Sequence, residues 1–283
     1  MKIQPRCILC QMNRALTEIE RVNASPQLNR KAMLKAMKKC LEIYEANLTP
    51  AELGTGRYQA ISRVLDVERG YKDLKKRSNE AASKVLIQLK DRMSSPISDK
   101  RFHQAFFWAA AGNSFDFGPL DHTFLISDFE SSLQEMRLGI DERDEIYEMM
   151  RPGQRIVYLV DNAGEILFDR YLMDTLRKMG GKVTLGVKKK NFQNDVTYNE
   201  ISQLGLCEVV DSIITTEAAF FGLGKGDIER ITDFDLIISK GMGNFEVLEE
   251  RVRHGIVFSL KAKCLPVAST LGVNLGEVVI HLR

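Results

Sequence analysis

From residue 156 onward the chain is punctuated by short apolar runs at 156–160, 183–187, 212–215, 236–239, 256–260 and 278–282. Several are near-continuous rather than alternating, the pattern of strands covered on both faces. Between the first two runs, Ile166, Tyr171, Leu172, Leu176 and Met179 recur at helical spacing, and Gly180-Gly181 supplies a stop. Strand, helix and strand in that order predict a βαβ unit and a parallel sheet. The first half has a helical period instead. Over 28–47 the positions Met33, Leu34, Met37, Cys40, Leu41 and Tyr44 form one stripe, expected to be buried. Thr49-Pro50-Ala51-Glu52 has the form of a capping box with proline at the first helical position, so a new helix starts there. A third segment carries Tyr71, Leu74, Ala81, Val85 and Leu89 on one face. Its other face carries Lys72, Lys75, Lys76 and Arg77, expected to be solvated. A further helix at 101–111 ends at Gly112. The pattern predicts an α/β protein whose mostly parallel sheet is flanked by helices. A mainly helical region at 1–150 precedes an α/β domain at 151–283, with the boundary at Arg151-Pro152-Gly153.

This arrangement puts chemistry at strand ends. Asp161-Asn162-Ala163-Gly164-Glu165 follows the first run, and Lys240-Gly241-Met242-Gly243-Asn244 follows the fourth. In open α/β sheets such turns gather at the carboxyl edge, where ligands bind. If the sheet is parallel, a third loop around Asn194-Asp195 emerges on the same side. Asp161, Asn162 and Asp195 would then form a hard, oxygen-only set suited to magnesium or manganese. Such an ion polarises a phosphoryl oxygen. Lys240 would offset charge on the remaining oxygens, and the amides of Gly241 to Asn244, at a helix start, would cradle the same group. Taken singly, these residues are ordinary turn formers and caps, and Gly241-Met242-Gly243 lacks the full Walker or Rossmann spacing. Their conjunction carries the reading.

Composition narrows the picture. With 283 residues, 44% of them hydrophobic, the chain builds a sizeable core without staples. A formal net charge of +2 provides no global field for nucleic acid or an anionic membrane. No signal-peptide core opens the sequence and no stretch reaches about 18 apolar residues, so a cytoplasmic protein is expected. The 5 cysteines are an odd number spread over the whole length, unlike a secreted disulfide framework. The four histidines, at 103, 122, 254 and 281, are never three or four residues apart, which disfavours a histidine-built zinc site.

With these residues in view, the chain resembles the damage-control phosphatases, the ARMT1-like family also known as domain of unknown function 89. Asp161 to Glu165 and Lys240 to Glu246 look like two family signatures. Gly112-Asn113-Ser114-Phe115-Asp116-Phe117-Gly118 resembles a third, and Asn194-Asp195-Val196-Thr197 a fourth. The resemblance implies a Rossmann-like three-layer α/β sandwich with an N-terminal helical domain, and metal-dependent hydrolysis of small phosphorylated metabolites. It implies Asp161, Asn162 and Asp195 as metal ligands for manganese, magnesium, cobalt or nickel. Lys240, Asn113 and Asp116 match catalytic positions, and Glu165, Gly241, Gly243 and Asn244 match substrate-binding ones. Read from the residues alone, Asn113 is a helix-end residue and Asp116 a loop residue.

Cys7-Ile8-Leu9-Cys10 resembles the Cys-x-x-Cys of the prokaryotic and archaeal branch, in which a cysteine like Cys264 also recurs. Three thiols suit a soft metal or redox chemistry. With no fourth ligand evident, packed structural thiols are the preferred expectation. Lys188-Lys189-Lys190 reads as a solvated run, or as a patch that steers phosphorylated substrates. Two alternatives stay open: a carboxyl methyltransferase using S-adenosylmethionine, and a non-catalytic metabolite- or RNA-binding protein docking through the Lys72 to Arg77 face. Against methyl transfer, Val187-Lys188 stands where a ribose-binding carboxylate is needed. Nucleic acid and membrane partners are not expected.

Overall fold

The computed structural model describes residues 1–89, 93, 95–113 and 135–283. Its centre is a seven-stranded sheet in the order β1-β7-β6-β5-β2-β3-β4. The strands are β1 Leu138–Asp141, β2 Arg155–Leu159, β3 Lys182–Lys188, β4 Ser212–Thr216, β5 Leu236–Lys240, β6 Ile256–Lys261 and β7 Val278–Leu282. Every neighbouring pair is parallel except β6 with β7. All six strands expected from the apolar runs are present. β1 was not foreseen, because Leu-Gly-Ile-Asp is too short and too mixed to register as a strand apart from its partner β7.

Ten α-helices accompany the sheet among the described residues: α1 Pro5–Val22, α2 Pro26–Glu45, α3 Pro50–Ser62, α4 Val67–Gln88, α5 Asp99–Gly112, α6 Arg143–Met149, α7 Glu165–Lys178, α8 Asp227–Thr232, α9 Gly241–Leu248 and α10 Leu265–Leu271. Strand parity assigns them to two layers. Ile156, Tyr158 and Val160 pack with Val85 of α4, Phe106 of α5 and Leu172 of α7. Val157 and Leu159 point the other way, into a core shared with Ala15 of α1, Ala36 of α2, Tyr58 of α3 and Phe245 of α9. A strand buried on both faces has no polar alternation, which explains the continuous runs. Helix α7 buries nearly its whole circumference. Ile166, Phe168, Leu172, Met173 and Leu176 are all at 0% exposure, each contributing about 1.5–3 kcal/mol of burial.

Local signals match their elements. Thr49 and Glu52 form the expected reciprocal cap: the Glu52 amide donates to Thr49 Oγ1 at 3.2 Å and the Thr49 amide to Glu52 Oε2 at 2.8 Å. Two expectations about helix faces are corrected. In α2 the buried residues are Ala32, Ala36, Cys40 and Ile43, whereas Leu34, Met37 and Leu41 are 48%, 50% and 58% exposed. The reason is close approach to α3, where a Cβ at Gly56 would collide with Ile43. Small residues face the tight contact, so the bulkier stripe turns outward. In α4, Lys72, Lys76 and Arg77 are exposed, but Lys75 is buried and bridges Glu200 at 2.8 Å and Asn191 at 3.0 Å.

Candidate active site

The first βα unit and its neighbour β5 define the site. In the stretch β4-β3-β2-β5-β6 the chain progresses outward one way from β2 and the other way from β5, so a topological switch point lies between them, where α/β ligands bind. Asp161 follows β2 and Gly241 follows β5. The two meet: Gly241 has φ +77°, and a Cβ there would collide with the Asp161 carboxylate. Only glycine meets both demands at once.

The loop after β3 joins them through the backbone. Asn162 and Asp195 form an isolated antiparallel bridge, the Val196 amide donates to Asp161 O at 2.9 Å, and the Ala163 amide to Asn194 O at 2.9 Å. Asp161, Asn162 and Asp195 thus stand side by side, 9%, 6% and 3% exposed. They line a cavity of about 370 Å³ together with Asn113 and Gly243, a volume within the range of small-molecule sites.

Behind this rim lies a buried charged network. Glu165 Oε2 accepts from the Asn113 amide at 2.8 Å and from the Asn162 amide at 3.3 Å, while Asn162 also donates to Asp161 Oδ2 at 2.7 Å. The Asn113 carbonyl accepts from the Lys261 amide at 3.2 Å. Glu165 therefore orients two carboxamides of the cavity wall. Lys240, fully buried at 0% exposure, donates to Ala109 O at 2.6 Å and Asp169 Oδ1 at 2.6 Å, and pairs with Glu165 Oε1 at 2.7 Å. An ammonium has three donors; two are hydrogen-bonded, to Ala109 O and Asp169 Oδ1, and the Glu165 contact is an ion pair. Tyr158 donates to Asp169 Oδ1 at 2.7 Å. Burial pushes Asp169 up to about 7 against the opposing pull of Lys240. Lys240 itself is held above the usual ammonium range, because its two carboxylates outweigh its desolvation.

The positions expected from the sequence thus fall into three groups. Asn113, Asp161, Asn162, Asp195 and Gly243 line the cavity; Glu165, Lys240, Gly241 and Asn244 are buried behind its wall. Asp116 lies outside the described residues. Cys7, Cys10 and Cys264 also line the cavity, as does Glu246. Burial raises Cys7 and takes Cys264 to about 11, so both favour the neutral thiol. Glu246 is pushed up to about 8 by burial, which Arg14 and the N-terminal ammonium oppose. Among the described residues no three His, Cys, Asp or Glu side chains form a metal-holding group. The rim set differs in kind, with a carboxamide as its third oxygen donor.

Lys188 is not part of a solvated run but is 3% exposed, with its ammonium against the Asp195 carboxylate. Burial lowers it to about 8, opposed by the charge of Asp161. Lys188 is the last residue of β3, a strand covered on both faces, whereas Lys189 and Lys190 lie past its end in solvent.

A family model described as the damage-control phosphatase ARMT1-like domain matches residues 3–279. The chain belongs to that family. Within it, this damage-control phosphatase-family chain is 31% identical over 287 residues to a damage-control phosphatase of Archaeoglobus fulgidus, covering 99% of this chain and 98% of that one. It is 30% identical to a damage-control phosphatase of Pyrococcus horikoshii, covering 99% and 97%. A crystal structure of a family member from Pyrococcus horikoshii superposes with a TM-score of 0.85 at 28% identity, covering 100% of this chain and 99% of that one. The three-layer α/β architecture is therefore the family's. No described helix is long and apolar enough to cross a membrane.

Proposed function

We propose that the chain is a metal-dependent phosphomonoesterase of small phosphorylated metabolites, sugar phosphates or related damaged metabolites. The observation that carries this is the convergence of Asp161, Asn162 and Asp195 in one cavity at the switch point, in a chain whose named relatives are phosphatases. The donors are all hard oxygens, two of them charged, which fits manganese, magnesium, cobalt or nickel in an oxygen-rich site. When bound, such an ion supplies Lewis-acid polarisation of a phosphoryl oxygen.

The chain's own residues prepare the reaction around it. The Asp161 carboxylate is held between Asn162 Nδ2 and the Gly241 backbone. The first-turn amides of α9, of which Gly243 borders the cavity, face anions with the positive end of the helix. Glu165, locked by Lys240, fixes the orientation of Asn113 and Asn162, so that precision at the rim comes from a buried network rather than from mobile side chains. Transfer of the phosphoryl group then proceeds in line, either to water or to an Asp161 oxygen.

The test is phosphate release from a panel of phosphorylated metabolites with each of the four ions, with a chelator control and with Asp195→Ala. Release that persists in chelator, or in Asp195→Ala, would refute metal dependence at this rim. Trapping a phosphorylated peptide that contains residue 161 separates attack by Asp161 from attack by water. Methyl transfer is disfavoured because Lys188, a cation, ends β3 where a nucleoside cofactor calls for a carboxylate.

A further inference from the structure

Two buried lysines stand near the rim, and their surroundings assign them different work. Lys240 is enclosed by Ala109 O, Asp169 and Glu165, and cannot reach a ligand without giving up partners already at hydrogen-bond distance. Lys188 has a plainer shell. Its ammonium meets the Asp195 carboxylate, and the Phe220 and Phe192 ring centroids lie 4.4 Å and 5.6 Å away. Ring faces attract a cation without taking its donors in a fixed geometry. Phe192, Phe220 and Asp195 all line the cavity, so this cation stands directly behind the wall, against one carboxylate and two aromatic faces.

We propose that Lys188 is the cation of the metal rim: it shares Asp195 with the divalent ion, weakening the grip on that ion, and it adds one positive charge beside the loaded rim for a phosphate dianion, in addition to Arg6, Arg14, Arg57 and Lys263 on the same cavity's lining. The inference rests on the phosphatase reading and deepens it. Charge counting shows the logic. Asp161 and Asp195 with Lys188 leave one net negative charge at the rim, and a divalent ion reverses that to one net positive charge. Without Lys188 the loaded rim would be neutral, and a dianion would lose a full unit of attraction inside a partly desolvated cavity, where Coulomb terms are large. The same missing ammonium would no longer repel the metal. Lys188 therefore acts in opposite directions on the two ligands, which a purely structural residue does not do.

The experiment uses Lys188→Met, checked for folding by circular dichroism. Manganese affinity is read from the electron paramagnetic resonance signal of the free ion, and inorganic phosphate affinity from calorimetric titration of the manganese-loaded protein. Relative to wild type, manganese should bind about tenfold tighter or more and phosphate about tenfold weaker or more, each unit charge being worth well over one decade at such range. Should Lys188→Met not fold, because Asp195 is left buried and unpaired, the same comparison is made between Asp195→Asn and Asp195→Asn with Lys188→Met. In that pair the double variant should hold manganese the more tightly and phosphate the less. Both ligands weakened together, or both unchanged, would overturn the proposal. If wild type binds neither manganese nor phosphate, the phosphatase reading fails first and takes this inference with it, whereas a responsive wild type with an indifferent variant sinks the role of Lys188 alone.

Discussion

Replacing Lys240 by methionine removes the cation that pairs with both carboxylates of a buried cluster that also holds a phenol, and its cost should depend on pH in a defined direction. Glu165 and Asp169 are both fully buried, and Lys240 contacts them at 2.7 Å and 2.6 Å. Breaking a buried pair by deleting one partner typically costs about 3–5 kcal/mol, or about 10 °C in melting temperature at roughly 2–4 °C per kcal/mol for a chain of this size. Proton uptake limits the loss. Asp169 is already raised to about 7 in the intact network, and without Lys240 its folded-state value can only rise. A carboxyl raised in the folded state takes nothing from stability below its unfolded pKa of about 4, and takes about 1.36 kcal/mol per pH unit from there up to its folded pKa. Both proteins carry the same carboxyl penalty up to about pH 7, so the gap between variant and wild type should be the same at pH 5 and 6.5 and widen above pH 7 by about 1.36 kcal/mol per pH unit until the variant's higher folded pKa is reached. Urea unfolding of both proteins at pH 5, 6.5 and 8 measures it. A gap that is constant across these conditions, or below about 1 kcal/mol at pH 8, would refute the account of Lys240 as the cation that neutralises this cluster.

Three further outcomes follow from the geometry. Gly241→Ala should lose about 1–2 kcal/mol for its left-handed backbone and nearly all phosphate release, because the added methyl meets Asp161. Gly272→Ala, at φ +71° with nothing within 4 Å, should show a similar stability loss and keep full activity; equal activities of the two variants would contradict the close-approach argument. Glu18→Gln should destabilise by about 3 kcal/mol, because Arg57, at 0% exposure, donates to Glu18 at 2.7 Å. A melting point within one degree of wild type would show the pair to be dispensable. Protein purified without added metal should contain no zinc, because burial holds Cys7 and Cys264 as neutral thiols. One zinc per chain, lost in the Cys7→Ser, Cys10→Ser variant, would instead establish a thiol metal site.

Much of the fold was legible because local rules and global burial agree in the second half. The runs at 156–160, 183–187 and 236–239 sit in the interior of the sheet, and their continuity reports two covered faces directly. Helix faces were less legible. Leu34, Met37 and Leu41 obey a helical period as well as Ala32, Ala36 and Cys40 do, and only the closeness of α3 decides which set is buried. In the site, the hard-oxygen residues could be read from their place after strands. Their contact could not, since it depends on β2 lying between β3 and β5. Glu165 is the sharpest case. A ligand-facing role was expected, yet it stands behind the wall, orienting Asn113 and Asn162.

The sequence by itself determined the α/β class, the strands that make up most of the sheet, and which residue types stand at their carboxyl ends. These follow from period, turn chemistry and composition, properties of neighbours along the chain. Only the tertiary structure decided which lysine of a run is buried, which carboxylate shares it, and whether an ammonium has donors left to offer. Charges and carboxamides act at a few ångströms across space, so their roles depend on what the rest of the chain brings beside them. That is why Lys188 and Lys240, one at the end of β3 and the other at the end of β5, stand in such different surroundings.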